Sequence, residues 1–342
     1  MLKKTRLAVI AATAVATPGL AACGGGGGAT SGASGGNTTP TTMKLALNQT
    51  ETHPSFIALE QFGKTLKEST GGRWDIQVFP NSTLGDQKEY LQSVSTGVVD
   101  MAIVSAPQLE NLQKDFVIFS LPKVFDSVDH QMKVLSDEKI VGDLYKSLEA
   151  SNNLTVVGGL TQGTRNIYTK DAIAKTPADL AGKKIRVQES AVFLSMIKAL
   201  GGSPTPMAYS EVYTGLQSGV IDGAENNEIS YVTQKHYEVA PYYAYSRHLV
   251  GADFLIMNTK TLQKMSAEDR AAFDKGWDAA WTQHTELWTT NTEKAVADAK
   301  AGGATFAEVD EAAYAAALKP LQDEFLTTDA QKKLLANIQA AK

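Results

Sequence analysis

The chain has 342 residues, 43% of them hydrophobic. A single core stops growing near ~250–300 residues, so two lobes are the expected outcome. The formal charge of −5, with acidic and basic residues interspersed, argues against nucleic acid as a partner, which would favour a basic face.

The chain opens with Lys3, Lys4 and Arg6, followed by an apolar run over 7–20 and then Leu20-Ala21-Ala22-Cys23. This is an export signal over residues 1–22, too short to span a membrane. Its ending resembles the lipobox of bacterial lipoproteins, which implies cleavage before Cys23 and lipidation of that thiol. An ordinary signal peptide with an incidental cysteine is the alternative. Cys23 is the only cysteine, so no disulfide can form within the chain and no cysteine pair can hold a metal. Residues 23–42 are Gly, Ser, Thr and Asn-rich and read as a flexible tether. Gly32-Ala33-Ser34-Gly35-Gly36 fits the hydrolase pattern G-x-S-x-G, but that motif needs a strand before it and a helix after it, and both flanks here are linker.

From about Met43 the pattern becomes that of a folded α/β chain. Residues 44–48 alternate as a strand. Phe56, Leu59, Phe62 and Leu66 recur at helical spacing within 55–69, and Gly71-Gly72 ends that helix. Trp74, Ile76 and Val78 alternate with Asp75 and Gln77 in a second strand. Residues 86–95 read as helix and 98–104 as a third strand. Such a β-α-β-α-β run favours a mainly parallel sheet with helices on both faces. The pattern then repeats: helix over 133–150, strand over 154–160, a short helical turn over 176–180, strand over 184–187, helices over 191–200 and 210–217, and strand over 254–258. Residues 266–300 are nearly unbroken helix formers. Ser266 is their N-cap, with Asp269 in a capping-box position, and Gly302-Gly303 stops them. At ~1.5 Å per residue this helix is ~50 Å long, so it is expected to lie across both lobes as a strut.

The sequence carries no H-E-x-x-H, no P-loop and no G-x-G-x-x-G after a strand, and no cofactor, metal or catalytic set is expected. His53, His130, His236, His248 and His284 are scattered and read as packed or solvated residues rather than ligands. The positive signal is anion recognition. Arg165 lies in Gln162-Gly163-Thr164-Arg165, just after the 154–160 strand. Arg186 lies inside a strand between Ile185 and Val187, where a charge needs a partner. Arginine pairs a carboxylate through two parallel hydrogen bonds, and strand ends facing an inter-lobe crevice are where open α/β sheets bind ligands. Asn226 and Asn227 follow Asp222-Gly223 in a turn. They serve either the turn itself or a ligand, to which an amide both donates and accepts. Tyr209 either stacks on a ligand or packs in the core.

Lys184-Ile185-Arg186-Val187, the run from Pro206 to Tyr213 and Val220-Ile221-Asp222-Gly223-Ala224-Glu225-Asn226 together resemble the signature of solute-binding proteins of tripartite ATP-independent periplasmic (TRAP) transporters. His53-Pro54, Thr70-Gly71-Gly72-Arg73, Leu84-Gly85 and Gly97-Val98-Val99-Asp100-Met101 fit as well, and the similarity runs from about Met43 to the C-terminus. The resemblance implies an α/β, two-lobed, periplasmic-binding-protein-like fold with mainly parallel sheets and a long helix spanning both lobes. The lobes are expected over 43–162 with 252–291, and over 163–251 with 292–342. It implies an organic acid held by Arg186, with Asn226, Arg165 and Tyr209 beside it. Asn48, Ser105 and Glu189 are expected to line the same cleft. Two departures stand out: Gln188-Glu189 replaces the proline or small polar residue that many members carry after the Arg-Val pair, and the strand ending at Ser105 lacks charged residues found in some subfamilies. Glu189 is therefore expected to accept from ligand hydroxyls, which leans the ligand toward a sugar acid such as a hexuronate. A C4-dicarboxylate is the alternative.

The implied mechanism is capture, closure and delivery to the subunits of a membrane permease, with the protein held at the outer face of the cytoplasmic membrane by its lipid, or free in the periplasm. An exported carbohydrate-active enzyme is a reading of another class, as is a ligand sensor. No motif selects the pair of carboxylates that a glycosidase needs.

Overall fold

Residues 40–342 are described by the computed structural model. The export signal, Cys23 and the Gly-x-Ser-x-Gly run lie outside the described residues. Strand β1 (Thr41–Ala46) points Met43 and Leu45 into the core. It takes up the last two residues of the expected tether, because Thr41 and Thr42 pair in register with Trp74 and Asp75 of β2 (Trp74–Phe79). Between them runs helix α1 (Pro54–Ser69), capped by the His53 imidazole, which accepts from the Ser55 amide. Helix α2 (Gln87–Thr96) starts at a capping box between Asp86 and Glu89 and leads into β3 (Met101–Ser105). These strands lie parallel in the order β2-β1-β3.

The same unit recurs further along. Strand β5 (Lys184–Val187), a helix over Ala191–Ala199, strand β6 (Ser203–Pro206), a helix over Val212–Ser218 and strand β7 (Gly223–Asn226) follow one another, and the three strands lie parallel in the order β6-β5-β7. The likeness extends to single residues. Gly97 and Gly219 both end a helix in the left-handed region, with φ of 81° and 77°. An exposed valine follows each, Val98 and Val220, then a buried Val99 or Ile221. Asp100 then accepts from the Lys44 amide at 2.9 Å, and Asp222 from the Lys184 amide at 2.8 Å.

Two long antiparallel strands join the units. β4 (Leu154–Thr169) pairs with β7, β8 (Tyr242–Asn258) pairs with β3, and the two pair with each other along their length. β9 (Thr305–Glu308) adds to β8 in parallel. The result is one mixed sheet of nine strands in two lobes, with five parallel and three antiparallel pairings. β4 and β8 are far longer than the expected strands at 154–160 and 254–258. Bulges interrupt their register, between Thr161 and Thr164 among other places, and these break the alternation by which strands are read. Asn226 closes strand β7 rather than sitting in a turn.

The expected helix over 133–150 is three pieces: α3 (Val128–Ser136), α4 (Glu138–Lys146) and the single turn Glu149–Asn152. Asp137 ends the first and caps the second, accepting from the Lys139 amide. The helix expected over 210–217 is a 3-10 turn, Tyr209–Glu211, followed by the Val212–Ser218 helix. The long helix α5 (Ala267–Ala301) has 35 residues and Ser266 as its cap. Asp269 does not complete a capping box: it accepts from Arg73 Nη2 at 2.7 Å and from Trp74 Nε1 at 3.2 Å. One end of α5 packs Phe273 and Trp277 against the β1–α1–β2 core, and the other packs Ala299 among Tyr168, Tyr231 and Tyr243. It therefore spans both lobes. Among the described residues no helix is long and apolar enough to cross a membrane.

Candidate functional site

The C-terminal ends of β1, β3, β5 and β7 converge on one cleft of about 660 Å³, the open space at its mouth included. Asn48, Ser105, Arg165, Arg186, Glu189, Tyr209 and Asn226 all line it. Two of these expected ligand contacts have a geometry the sequence did not suggest, Arg165 and Glu189.

Arg186 is buried in β5, 4% exposed. It donates Nε and Nη2 to the Met207 carbonyl at 3.0 and 2.8 Å and lies 5.7 Å from the centre of the Tyr209 ring. Among the described residues, both hydrogens on Nη1 and one on Nη2 have no acceptor. Burial holds its pKa below the ordinary arginine range, so the guanidinium is a cation short of stabilisation. Arg165 is the opposite. Its Nε and Nη2 grip both carboxylate oxygens of Glu225 at 2.5 and 2.7 Å, and Nη2 also reaches the Glu225 carbonyl at 2.9 Å. Its Nη1 donates to Gln162 Oε1 at 2.6 Å and to Asn226 Oδ1 at 3.0 Å. All five N–H groups are thus committed to the protein. Arg165, expected to complete the ligand's hydrogen bonding, here holds Glu225, Gln162 and Asn226 instead. Burial opposes charge on both members of this pair, yet each carries the other, with Arg165 raised above its ordinary pKa and Glu225 lowered. His248 Nε2 stands 3.4 Å from the same carboxylate.

Asn226 Oδ1 accepts from Arg165 and from the Asn227 amide, and Asn226 Nδ2 points to Tyr209 Oη at 3.4 Å. The Tyr209 hydroxyl is pushed up to about 12 by burial and stays protonated. On the facing wall, Asn48 Oδ1 and Gln49 Oε1 are buried without a partner, each leaving an acceptor open toward hydroxyl groups. Ser105 donates to Asp253 Oδ1 at 2.8 Å, and Gln162 Nε2 donates to both. Glu189 is at the mouth, exposed, 3.9 Å from Lys88 of α2. It faces the other wall's lysine rather than the floor of the cleft.

Gln49, Gln87, Lys88, Gln162 and Glu225 were not singled out from the sequence, and Asp253 also escaped notice. Glu225 sits inside the Asp-Gly-Ala-Glu-Asn run and Gln162 three residues before Arg165, so a weak signal was present for both. All five histidines are buried, and among the described residues no group of three or more His, Cys, Asp or Glu could hold a metal ion.

Two lobes around a narrow polar cleft, with one buried arginine facing it unpaired, define a protein that holds a small anionic solute. A sequence model described as "DctP: Bacterial extracellular solute-binding protein, family 7" matches residues 45–329. A solute-binding protein of Chromohalobacter salexigens is 33% identical over 84% of this chain and 86% of its own length. A TRAP periplasmic solute-binding protein from Anaerococcus prevotii, solved with bound α/β-D-glucuronate, superposes with a TM-score of 0.85 at 35% identity, over 88% of this chain and 98% of that one. Another from Xanthobacter autotrophicus, with bound β-D-galacturonate, gives 0.83 at 32%, over 88% and 100%. The chain belongs to the DctP family of TRAP solute-binding proteins.

Proposed function

We propose that the protein captures a hexuronate, with Arg186 pairing its carboxylate, and hands it to a TRAP membrane permease without chemical change. The observation that carries this reading is the uncommitted face of Arg186 opposite unpartnered amide oxygens. A hexuronate supplies a carboxylate for the first and hydroxyl hydrogens for the second. The solved relatives with bound glucuronate and galacturonate support the same ligand class. Closure of the walls over the ligand excludes water and strengthens the charge-assisted bonds.

The lobes are taken as 43–162 with 252–291, and 163–251 with 292–342. The bulge of β4 between Thr161 and Thr164 supports a boundary there. Anchoring through lipidated Cys23 at the outer face of the cytoplasmic membrane rests on the cleavage-site sequence alone.

The test is a thermal-shift screen of organic acids followed by calorimetry. A ligand at ~100 times its dissociation constant adds ~2.7 kcal/mol, and ~1 kcal/mol moves the midpoint of a large domain by roughly 2–4 °C. Glucuronate or galacturonate is expected to raise the midpoint by several degrees. A shift with succinate or malate and none with either hexuronate would replace the reading with a C4-dicarboxylate one.

A further inference from the structure

The charges of the cleft leave a single cation without a carboxylate. Five lining residues are charged: Asp86, Lys88, Arg165, Arg186 and Glu189. Arg165 is neutralised by both oxygens of Glu225. Lys88 stands beside Glu189 across the mouth. Asp86 caps α2, accepting from the amides of Lys88 and Glu89 at 2.9 and 3.0 Å. Behind the wall, the buried Asp253 carboxyl holds two neutral donors, Ser105 and Gln162, and no cation. Among the described residues, the Arg186 guanidinium hydrogen-bonds to a carbonyl oxygen and to no carboxylate, and lies over an aromatic ring.

That balance does not depend on how a ligand lies. One ligand carboxylate completes Arg186. A second would meet a wall that carries the unpartnered amide oxygens of Asn48 and Gln49, with Asp86 and Glu189 also lining the cleft. A carboxylate only accepts hydrogen bonds, so amide oxygens that welcome a hydroxyl repel it. Of the charged lining residues, the other cation open to it is Lys88, and Glu189 stands 3.9 Å from that lysine.

We propose that the cleft is a one-carboxylate site that rejects diacids of the same length, and that Glu189, set against Lys88, adds to this specificity. The inference rests on the hexuronate reading of the cleft and adds to it a rule about ligand charge.

The test is displacement calorimetry on the purified protein loaded with galacturonate. Galactonate and galactarate are the displacing ligands. Both are open-chain, with the same carbon number, and they differ by one terminal carboxylate. Galactarate is expected to bind at least about 100-fold more weakly than galactonate, or than galacturonate should the open-chain monoacid not displace it, since an unpaired buried charge costs about 3–5 kcal/mol and a tenfold change is about 1.4 kcal/mol. Glu189→Gln frees an exposed lysine, so the affinity of galactarate relative to galactonate should rise about three- to fivefold. Galactarate binding as tightly as the monoacids, or a ratio unmoved by Glu189→Gln, overturns the proposal. Failure of galacturonate and glucuronate themselves to bind shows in the loading step and overturns the hexuronate reading instead.

Discussion

Arg165 and Arg186 differ in what the removal of each leaves behind. Arg186→Ala takes away a buried cation whose only polar partner is a carbonyl, so no acid is stranded. Folding should be retained while ligand affinity drops by ~3–5 kcal/mol, the usual effect of removing one partner of a buried charge pair. Calorimetry with unchanged affinity for this variant would refute the anchor. Arg165→Ala instead leaves Glu225 fully buried with only His248 beside its carboxylate. It should cost ~3–5 kcal/mol of folding stability in urea titrations, and Glu225→Gln in the same background should restore part of it. Equal stability of the two single alanine variants would contradict this division of roles. The sequence made both arginines visible because a charge among Ile185 and Val187, or after Gln162-Gly163, breaks an apolar pattern. It could not separate their roles, because Glu225 meets Arg165 across 60 positions. The seven expected lining residues come from strand ends and family blocks. The missed residues Gln49, Gln87 and Lys88 are ordinary polar residues in sequence, distinguished only by where the fold carries them.

The coupling of β4 to α5 rests on close approach. A Cβ at Gly158 would lie 2.5 Å from Trp277 Nε1, and one at Gly163 2.6 Å from Trp288 Nε1. Gly163 also has φ of +64°, at the β4 bulge between Thr161 and Thr164. Gly163→Ala should therefore cost about 2–4 kcal/mol, combining left-handed backbone strain with overpacking against an indole. Gly72, with φ of +81° and nothing within 4 Å, is the control. Its alanine variant should cost about 1–2 kcal/mol from backbone strain alone, and urea midpoints that failed to separate the two would remove the packing argument. The same bulge shows why some elements were legible and others were not. α1, α2, α5, β2 and β5 have clean periods and capping residues, and their observed bounds fall within about two residues of those expected. β4 and β8 lose alternation at each register shift, so only their most apolar ends were read. The 133–150 run has continuous helix formers, but Asp137 serves as both stop and cap, and propensity alone does not reveal that.

Acid sensitivity belongs to the whole chain, because the groups that shift are spread over both lobes. Burial pushes His53, His236 and His284 down to about 3, from 6.5. A histidine held neutral stabilises fully above 6.5, and that stability is lost as pH falls toward 3. Burial pushes Glu110 and Glu228 up to about 7, from 4.5. Their contribution has the other sign: it is fully present below 4.5 and lost as pH rises through 7. His248 and Asp253 are moved down and up by burial in the same two senses. Between pH 6.5 and 4.5 three histidines oppose two glutamates, a net of about one proton. Stability should fall by ~1.4 kcal/mol per unit of acidification there. Glu110→Gln removes one of the opposing acids. Its slope in that window should be about twice as steep, and at pH 8 it should exceed the parent by up to about 3 kcal/mol, the lost cost of ionising a buried acid. The two proteins should converge near pH 4.5, where the glutamate is protonated in the folded chain. Urea unfolding at pH 4.5, 6.5 and 8 reads all three values, and a variant no more stable than the parent at pH 8 would mean that Glu110 ionises at no cost to the fold.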